Sequence, residues 1–293
     1  MSGLLNIDNE ALRRSFDRDP VQFSHGLNEL GLLKIDSLHA LATKMADSGD
    51  YFLAQGARAP DEAFFSVPRL PAKPADLIER LDEGEYRILL KRAENHDNAF
   101  RDLINTLFEE VVRSVYGLEG EKIVRLESGI LISSGNTITP FHCDHEIGYF
   151  SQIEGEKIYH VFSPTAISEP ERERFSIAGP VGLAPLDLSG RDPSREYVFN
   201  LIGGKGFHQP QNSPHWVKTG KSRSISYTFV FETEASRAAA RTRAFNHYLR
   251  KLGIAPATLG RRPTADSVKA TVMRAVTPVR RLAANIAERT GLR

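Results

Sequence analysis

A mixed α+β fold is predicted by three features of this 293-residue chain. Apolar residues recur at helical spacing through much of the first 118 residues. About eight short β-rich runs, broken by Gly and Pro turns, occupy the region from Lys122 to Phe231. Ala- and Arg-rich helical patterns follow. Eight such strands suggest a jelly-roll or cupin-like double-stranded β-helix. The expected organisation is a mainly helical support region over 1–118, a double-stranded β-helix core over 119–233 and a basic helical C-terminal extension over 234–293.

Composition narrows the class. Charged residues are 26% and hydrophobic residues 41%, which is ordinary for a globular protein. The single cysteine, Cys143, excludes an intramolecular disulfide framework. The opening residues carry no basic stretch followed by an apolar one, and no run approaches the ~18 apolar residues of a membrane span. A soluble, cytoplasmic protein is expected. The net charge of +1 conceals an asymmetry: from Arg237 onward 13 Lys and Arg face two acids, Asp266 and Glu288. The remainder of the chain is acidic. Such a tail fits an anionic membrane surface, nucleic acid or an acidic protein surface.

In chain order, residues 8 to about 48 read as helical. Leu12, Phe16, Phe23, Leu27, Leu30 and Leu33 recur at roughly helical spacing with a break near Pro20, and Leu38, Leu41 and Met45 continue the pattern. Residues 50–75 read as irregular, punctuated by Pro60, Pro68, Pro71 and Pro74. A short strand is expected over Glu85–Lys91. Asn98–Tyr116 is a clear helix, with Phe100, Leu103, Ile104, Leu107 and Val111 on its apolar stripe. From Lys122 the period changes to that of strands, with a turn at Gly135-Asn136. Residues 165–194, rich in Pro, Gly, Ser and charge, read as a long surface excursion of the kind that serves as a lid or substrate loop. Ala235–Leu252 reads as a helix. Beyond Pro263, Val268, Val272, Val276, Val279, Leu282 and Ile286 form an apolar face interrupted at Pro278. Its expected burial is against the protein's own acidic body or a second subunit.

The chemistry gathers in the stretch Thr137–Pro164. His142 and Asp144 stand two apart in a β-rich run, and side chains at i and i+2 of a strand share a face. One further histidine would complete a facial triad of two imidazoles and a carboxylate, the donor set of non-haem Fe(II) sites with open positions. Two candidates lie in the run G-F-H-Q-P-Q-N-S-P-H-W-V, His208 and His215. Lys157, fifteen residues after His142, follows a Gly155 turn between Glu154 and Glu156, where a lone lysine ordinarily faces solvent. His145 should point away from the face shared by His142 and Asp144, and Cys143 should be a small buried apolar residue.

Taken together, His142-x-Asp144, the preceding Thr139-Pro140, Gln152, Lys157 and the P-H-W-V and S-I-S runs resemble the JmjC-type, cupin-like Fe(II)/2-oxoglutarate-dependent dioxygenases over roughly residues 120–232. The resemblance implies that His142, Asp144 and His215 are the iron ligands. It implies that Lys157 and Thr139 meet the distal carboxylate of 2-oxoglutarate, and that Thr228 lines the cosubstrate pocket. It departs from the family pattern at Gly148, where many members carry a polar amide. The implied activity is hydroxylation of an unidentified protein side chain, amino acid or small metabolite with release of succinate and CO2. A different class is a non-catalytic cupin-like module that binds a metal or small acid while its basic tail engages membrane or nucleic acid. The expected partners are the hydroxylation substrate, a second copy of the chain in a homodimer, and an anionic or acidic surface for the tail.

Overall fold

In a computed structural model, residues 3–57, 59–62, 69–178 and 186–290 are described, the side chains of 277–290 excepted. Two compact units divide the chain, Met1–Ala166 with Pro185–Glu232, and Ile167–Ala184 with Thr233–Arg293. The first unit carries strands β1 (Leu5–Asn6), β2 (Val21–His25), β3 (Tyr51–Gln55), β4 (Tyr86–Lys91), β5 (Ile123–Ser133), β6 (Ile138–Cys143), β7 (Ile147–Glu154), β8 (Lys157–Phe162), β9 (Glu196–Leu201), β10 (Lys205–Gln209), β11 (Pro214–Thr219) and β12 (Ser224–Thr233). Its helices are α1 (Asn9–Ser15), α2 (Ile35–Lys44), α3 (Pro74–Glu79) and α4 (Asn98–Ser114). A mixed arrangement of helices and antiparallel sheet is therefore present, and the eight strands expected between Lys122 and Phe231 are β5 to β12.

The strands form an eight-stranded sheet in the order β1-β2-β10-β7-β12-β5-β4-β3 and a four-stranded sheet in the order β6-β11-β8-β9. Side-chain alternation gives each sheet two faces. Phe150 of β7 and Phe207 of β10 pack in one cluster with Tyr159 and Val161 of β8, Leu201 of β9 and Val217 of β11. One face of the larger sheet thus meets the smaller sheet. The opposite face contributes Ile88, Leu90, Ile130 and Ile132 to a second core with the helices. Within that core α4 is capped by Asp97, whose side chain accepts from Ala99 N, and it buries Phe100, Leu103, Ile104, Leu107 and Val111. Leu107 is fully buried, so Leu107→Ala should cost ~2–5 kcal/mol of stability. Urea unfolding will check this as a lower midpoint at unchanged slope.

Three readings are corrected. Residues 8–48 are not helical throughout, because Val21–His25 is a strand paired to β1 and β10. Phe23 and Leu27 stand four apart and mimic a helical stripe, but Val21, Phe23 and His25 alternate inward. Tyr51–Gln55 is a strand within the stretch read as irregular, paired to β4; Pro68 lies outside the described residues. The 165–194 excursion contains a helix, α5 (Glu169–Ala178), while 179–185 lie outside the described residues. Its signal is Ser168 three before Glu171: the Ser168 N–H and hydroxyl both reach Glu171 Oε2 at 2.8 Å, and Pro170 sits in the first turn.

The second unit packs α5 with α6 (Glu234–Lys251) and α7 (Pro263–Thr290). Arg243 pairs with Glu169 at 2.8 Å and Arg250 with the buried Glu173 at 2.7 Å. Thr233 and Ser236 cap α6 reciprocally. The valine face of α7 is not buried: Val268, Val272 and Val276 are 59%, 41% and 39% exposed. The helix instead buries Asp266, Ala270 and Met273, a face whose small Ala270 lets it lie close to Ala-rich α6. Thr242 of α6 donates to the Asp266 carbonyl, and Lys269 to Asn246. The helix continues through Pro278, and the side chains of Val279, Leu282 and Ile286 lie outside the described ones.

Candidate metal centre

His142 and His215 are direct partners in the β6–β11 ladder, so their side chains leave the same face of the smaller sheet. Asp144 follows β6 by one residue. The three side chains converge: His142 Nε2 lies 3.9 Å from Asp144 Oδ1, His215 Nε2 lies 3.7 Å from Oδ2, and the rings are 4.1 Å apart. Each ring is oriented from behind. Nδ1 of His142 donates to the Pro140 carbonyl at 2.7 Å, and Nδ1 of His215 to the Ser213 carbonyl at 3.0 Å. A carbonyl only accepts, so the protons sit on Nδ1 and both Nε2 lone pairs are directed at the carboxylate. Burial, followed by the neighbouring His215, lowers the His142 pKa to about 3. Burial alone would raise Asp144, but His142 and His215 hold it below the usual carboxylate range. The Asp144 side chain is 41% exposed whereas those of His142 and His215 are 9% and 3% exposed, making it the open side of the group. Two imidazole nitrogens and one carboxylate on this scale fit a divalent first-row metal.

The ladder also decides where Thr139 faces. Register shifts between His215 and Val217, with Val217 opposite Thr139, so Pro140 and Phe141 together oppose Trp216. This bulge returns Thr139 to the face of His142, although simple alternation would separate them. Along that face the rows run His142–His215–Val161, Thr139–Val217–Tyr159, then Thr219–Lys157–Leu201.

Lys157 is thus on the same inner face and is 3% exposed. Its Nζ donates to Ser226 Oγ at 2.9 Å and lies 5.5 Å from the centre of the Phe150 ring. Ser226 passes its own proton to Gln152 Oε1 at 2.8 Å, and Gln152 Nε2 reaches Ser224 Oγ at 2.8 Å. Burial, then the nearby Arg87, lowers the Lys157 pKa to about 7. Thr228 shares the inner face with Ser226, but its hydroxyl already donates to the Tyr149 carbonyl at 3.0 Å, leaving only acceptor capacity for a ligand. Ser226 was not singled out from the sequence. The alternation Ser226, Thr228 in an otherwise aromatic strand is the signal that marks it.

His208, the rival third ligand, is on the far face of β10. Nδ1 bonds the Gly148 carbonyl at 3.2 Å, Nε2 accepts from Asp17 N at 3.1 Å, and the ring stacks on Phe16 at 5.1 Å. It is a satisfied core histidine. Gly148 pairs with Gln209, and a Cβ on Gly148 would meet Gln209 Cβ at an ordinary 3.6 Å. Gln209 brings an amide to this place from the adjacent strand: Tyr159 Oη donates to its Oε1 at 3.1 Å, and its Nε2 lies 3.4 Å from His215 Nδ1.

A second cluster, His145, Glu146 and Glu232, also brings three potential ligands together. Arg125 already supplies its positive charge: Nη1 reaches Glu146 and, at 3.4 Å, Glu232, while Nη2 takes Glu127 at 2.7 Å. Burial would lower His145, but Glu232 and Glu146 hold its pKa above the ordinary value. This network fastens the turn after Asp144 to β5 and β12. Asn212 N adds a bond to the Asp144 carbonyl at 3.0 Å.

No family model matches the chain, and no curated protein does. Its fold is nevertheless that of known oxygenases. Two structures of YcfD, a ribosomal oxygenase from Escherichia coli, align with 94% of this chain and 68% and 69% of their own at 16% identity, with TM-scores of 0.54 and 0.55. A third, of YcfD in complex with cobalt and 2-oxoglutarate, aligns with 93% of this chain and 68% of its own at 16% identity and a TM-score of 0.53. The resemblance to JmjC-type, cupin-like oxygenases is borne out at the level of the fold. Among the described residues no helix is long and apolar enough to cross a membrane.

Proposed function

We propose that the chain is an Fe(II)- and 2-oxoglutarate-dependent dioxygenase that hydroxylates a protein side chain, amino acid or small metabolite and releases succinate and CO2. The observation that carries this reading is the convergence of His142, Asp144 and His215 on the inner face that also buries Lys157. The two facing sheets are read as a double-stranded β-helix, with 119–233 as the catalytic core. YcfD binds cobalt together with 2-oxoglutarate on a similar fold, which supports the same pairing here.

In this reading His142, Asp144 and His215 hold the metal, and Fe(II) supplies the reaction of O2 with the 2-oxo acid and the oxidation of a substrate C–H bond. The chain supplies position. Lys157 meets the distal carboxylate of 2-oxoglutarate with a charge-assisted hydrogen bond, backed by Ser226 and flanked by Thr139. Phe150, Tyr159 and Val217, packed together on this face, would keep water from the bound cosubstrate. The exposed side of Asp144 is the substrate's approach. A cytoplasmic setting suits this chemistry, because reducing conditions keep iron ferrous and the buried Cys143 a thiol. The exposed valines and basic residues of α7 suit an acidic partner surface, a second copy included.

Anaerobic addition of Fe(II) and 2-oxoglutarate tests the reading. A weak visible charge-transfer band is expected, with uncoupled succinate release once air is admitted. A chain that develops no band at millimolar cosubstrate is not this enzyme. A band without succinate would assign it to the binding modules instead.

A further inference from the structure

Lys157 is not the inner face's sole cation. Arg87 stands opposite Ser133 in the β4–β5 ladder, two residues before the Leu89–Leu131 pair. Leu131 packs on the cluster of Phe150, Tyr159 and Val217, so Arg87 shares the face of the larger sheet that looks onto the smaller one. It is 8% exposed. Its Nη1 lies 3.4 Å from the Ile138 carbonyl at the start of β6. Ile138 pairs with Lys218, and the next residue of β11, Thr219, pairs with Lys157. The guanidinium head therefore sits beside Thr139 at the Lys157 end of the inner face. The His142–His215 row is four residues further along, about 13 Å at strand spacing.

Its field is felt at Lys157, whose charged form it opposes. Glu62 is the acid acting on Arg87, yet burial outweighs it and draws the Arg87 pKa down to about 10. Two cations from different sheets thus lie buried toward one inner face, Arg87 with Glu62 acting on it, at a cost in desolvation. Such an arrangement is relieved by a bound anion. A guanidinium also offers several donors in a planar fork that matches a carboxylate.

We propose that Arg87 is a second anion-binding residue of this inner face, one that makes it select 2-oxo acids carrying a distal carboxylate. The inference rests on the dioxygenase reading and assigns a specificity role to a strand outside the region that resembles the family.

Calorimetric titration of the Mn(II)-loaded full chain with 2-oxoglutarate and with 2-oxobutyrate, which lacks the distal carboxylate, provides the test. Arg87→Gln should weaken 2-oxoglutarate roughly 10–100-fold, the value of a charged hydrogen bond, and leave 2-oxobutyrate within ~3-fold of wild type. Arg87→Lys, which keeps the charge on a shorter reach, should fall between, and serves alone if the Gln variant does not fold. Equal losses for both acids would mean that Arg87 merely supports the structure, and would overturn the inference. So would a 2-oxoglutarate affinity unchanged in the Arg87 variants but lost in Lys157→Met, a result that leaves the dioxygenase reading standing. A wild-type protein that binds neither acid sinks that reading, and this one with it.

Discussion

Lys157→Met is expected to weaken 2-oxoglutarate binding severely and, in the ligand-free protein, to raise stability. The two effects have one origin. Lys157 is buried beside Arg87, with a serine hydroxyl and an aromatic face as its contacts. Its pKa, lowered to about 7 from the ordinary 10.5, means that the folded state resists the charge that the unfolded chain carries freely. Well below pH 7 the lysine is protonated in both states, and the burden is present in full. Between pH 7 and 10.5 the unfolded chain holds the proton and the folded chain releases it, so stability contributed at this site rises with pH across that window. A methionine of similar length removes the burden. The gain should be roughly 2–5 kcal/mol near pH 6, on the order of 5–10 °C in Tm, shrinking towards pH 10. Loss of the carboxylate's partner should cost cosubstrate binding ~10²–10³-fold, as when a buried ion pair loses one member. Binding to the wild type at pH 8 should also take up close to one proton, because a carboxylate restores the lysine's preference for the charged form; calorimetry in buffers of different ionisation enthalpy reads this directly. A variant that melts lower at pH 6 while binding 2-oxoglutarate normally would show that Lys157 is structural.

The pairing of His142 with Asp144 was legible because alternation in an extended run is local: two residues apart is enough to aim two side chains together, whereas the residues alone left His208 and His215 both open and only the family resemblance pointed to His215. The orientation of Thr139 was not derivable in that way, since it depends on a bulge that exists only in the β6–β11 ladder. Arg87 was missed for a related reason. In the run Y-R-I-L-L a charged residue reads as the solvent side of an edge strand, but β5 and β3 flank it and the smaller sheet covers that face. Phe23 misled because its spacing from Leu27 satisfies a helix, whereas Pro20 precedes a strand, with Val21 and His25 inward, whose partner lies some 180 residues away in sequence. Local signals located the chemistry; the long-range pairings determined what faces it.

The sharpest separation between a ligand and a core residue is expected from two alanine variants of neighbouring histidines. His208→Ala removes a ring stacked on Phe16, leaves Asp17 N without its acceptor and opens a void next to Tyr149. Its cost should be ~2–4 kcal/mol of stability, with metal affinity intact in the folded protein. His215→Ala removes an Nε2 aimed at Asp144. Because loss of a mere outer-shell partner costs about 10–100-fold in metal affinity, loss of this ring should exceed ~100-fold. Thermal melting with and without Mn(II) distinguishes them. A metal that binds only the folded state raises Tm by mass action; wild type and His208→Ala should show that rise, His208→Ala from a lower starting point, while His215→Ala should show none at micromolar metal. The Asp144→Asn variant, which keeps the shape of the side chain but removes its charge, should behave like His215→Ala. The reverse pattern, in which His208→Ala loses the metal response and His215→Ala keeps it, would move the centre to the far face of β10 and undo the triad.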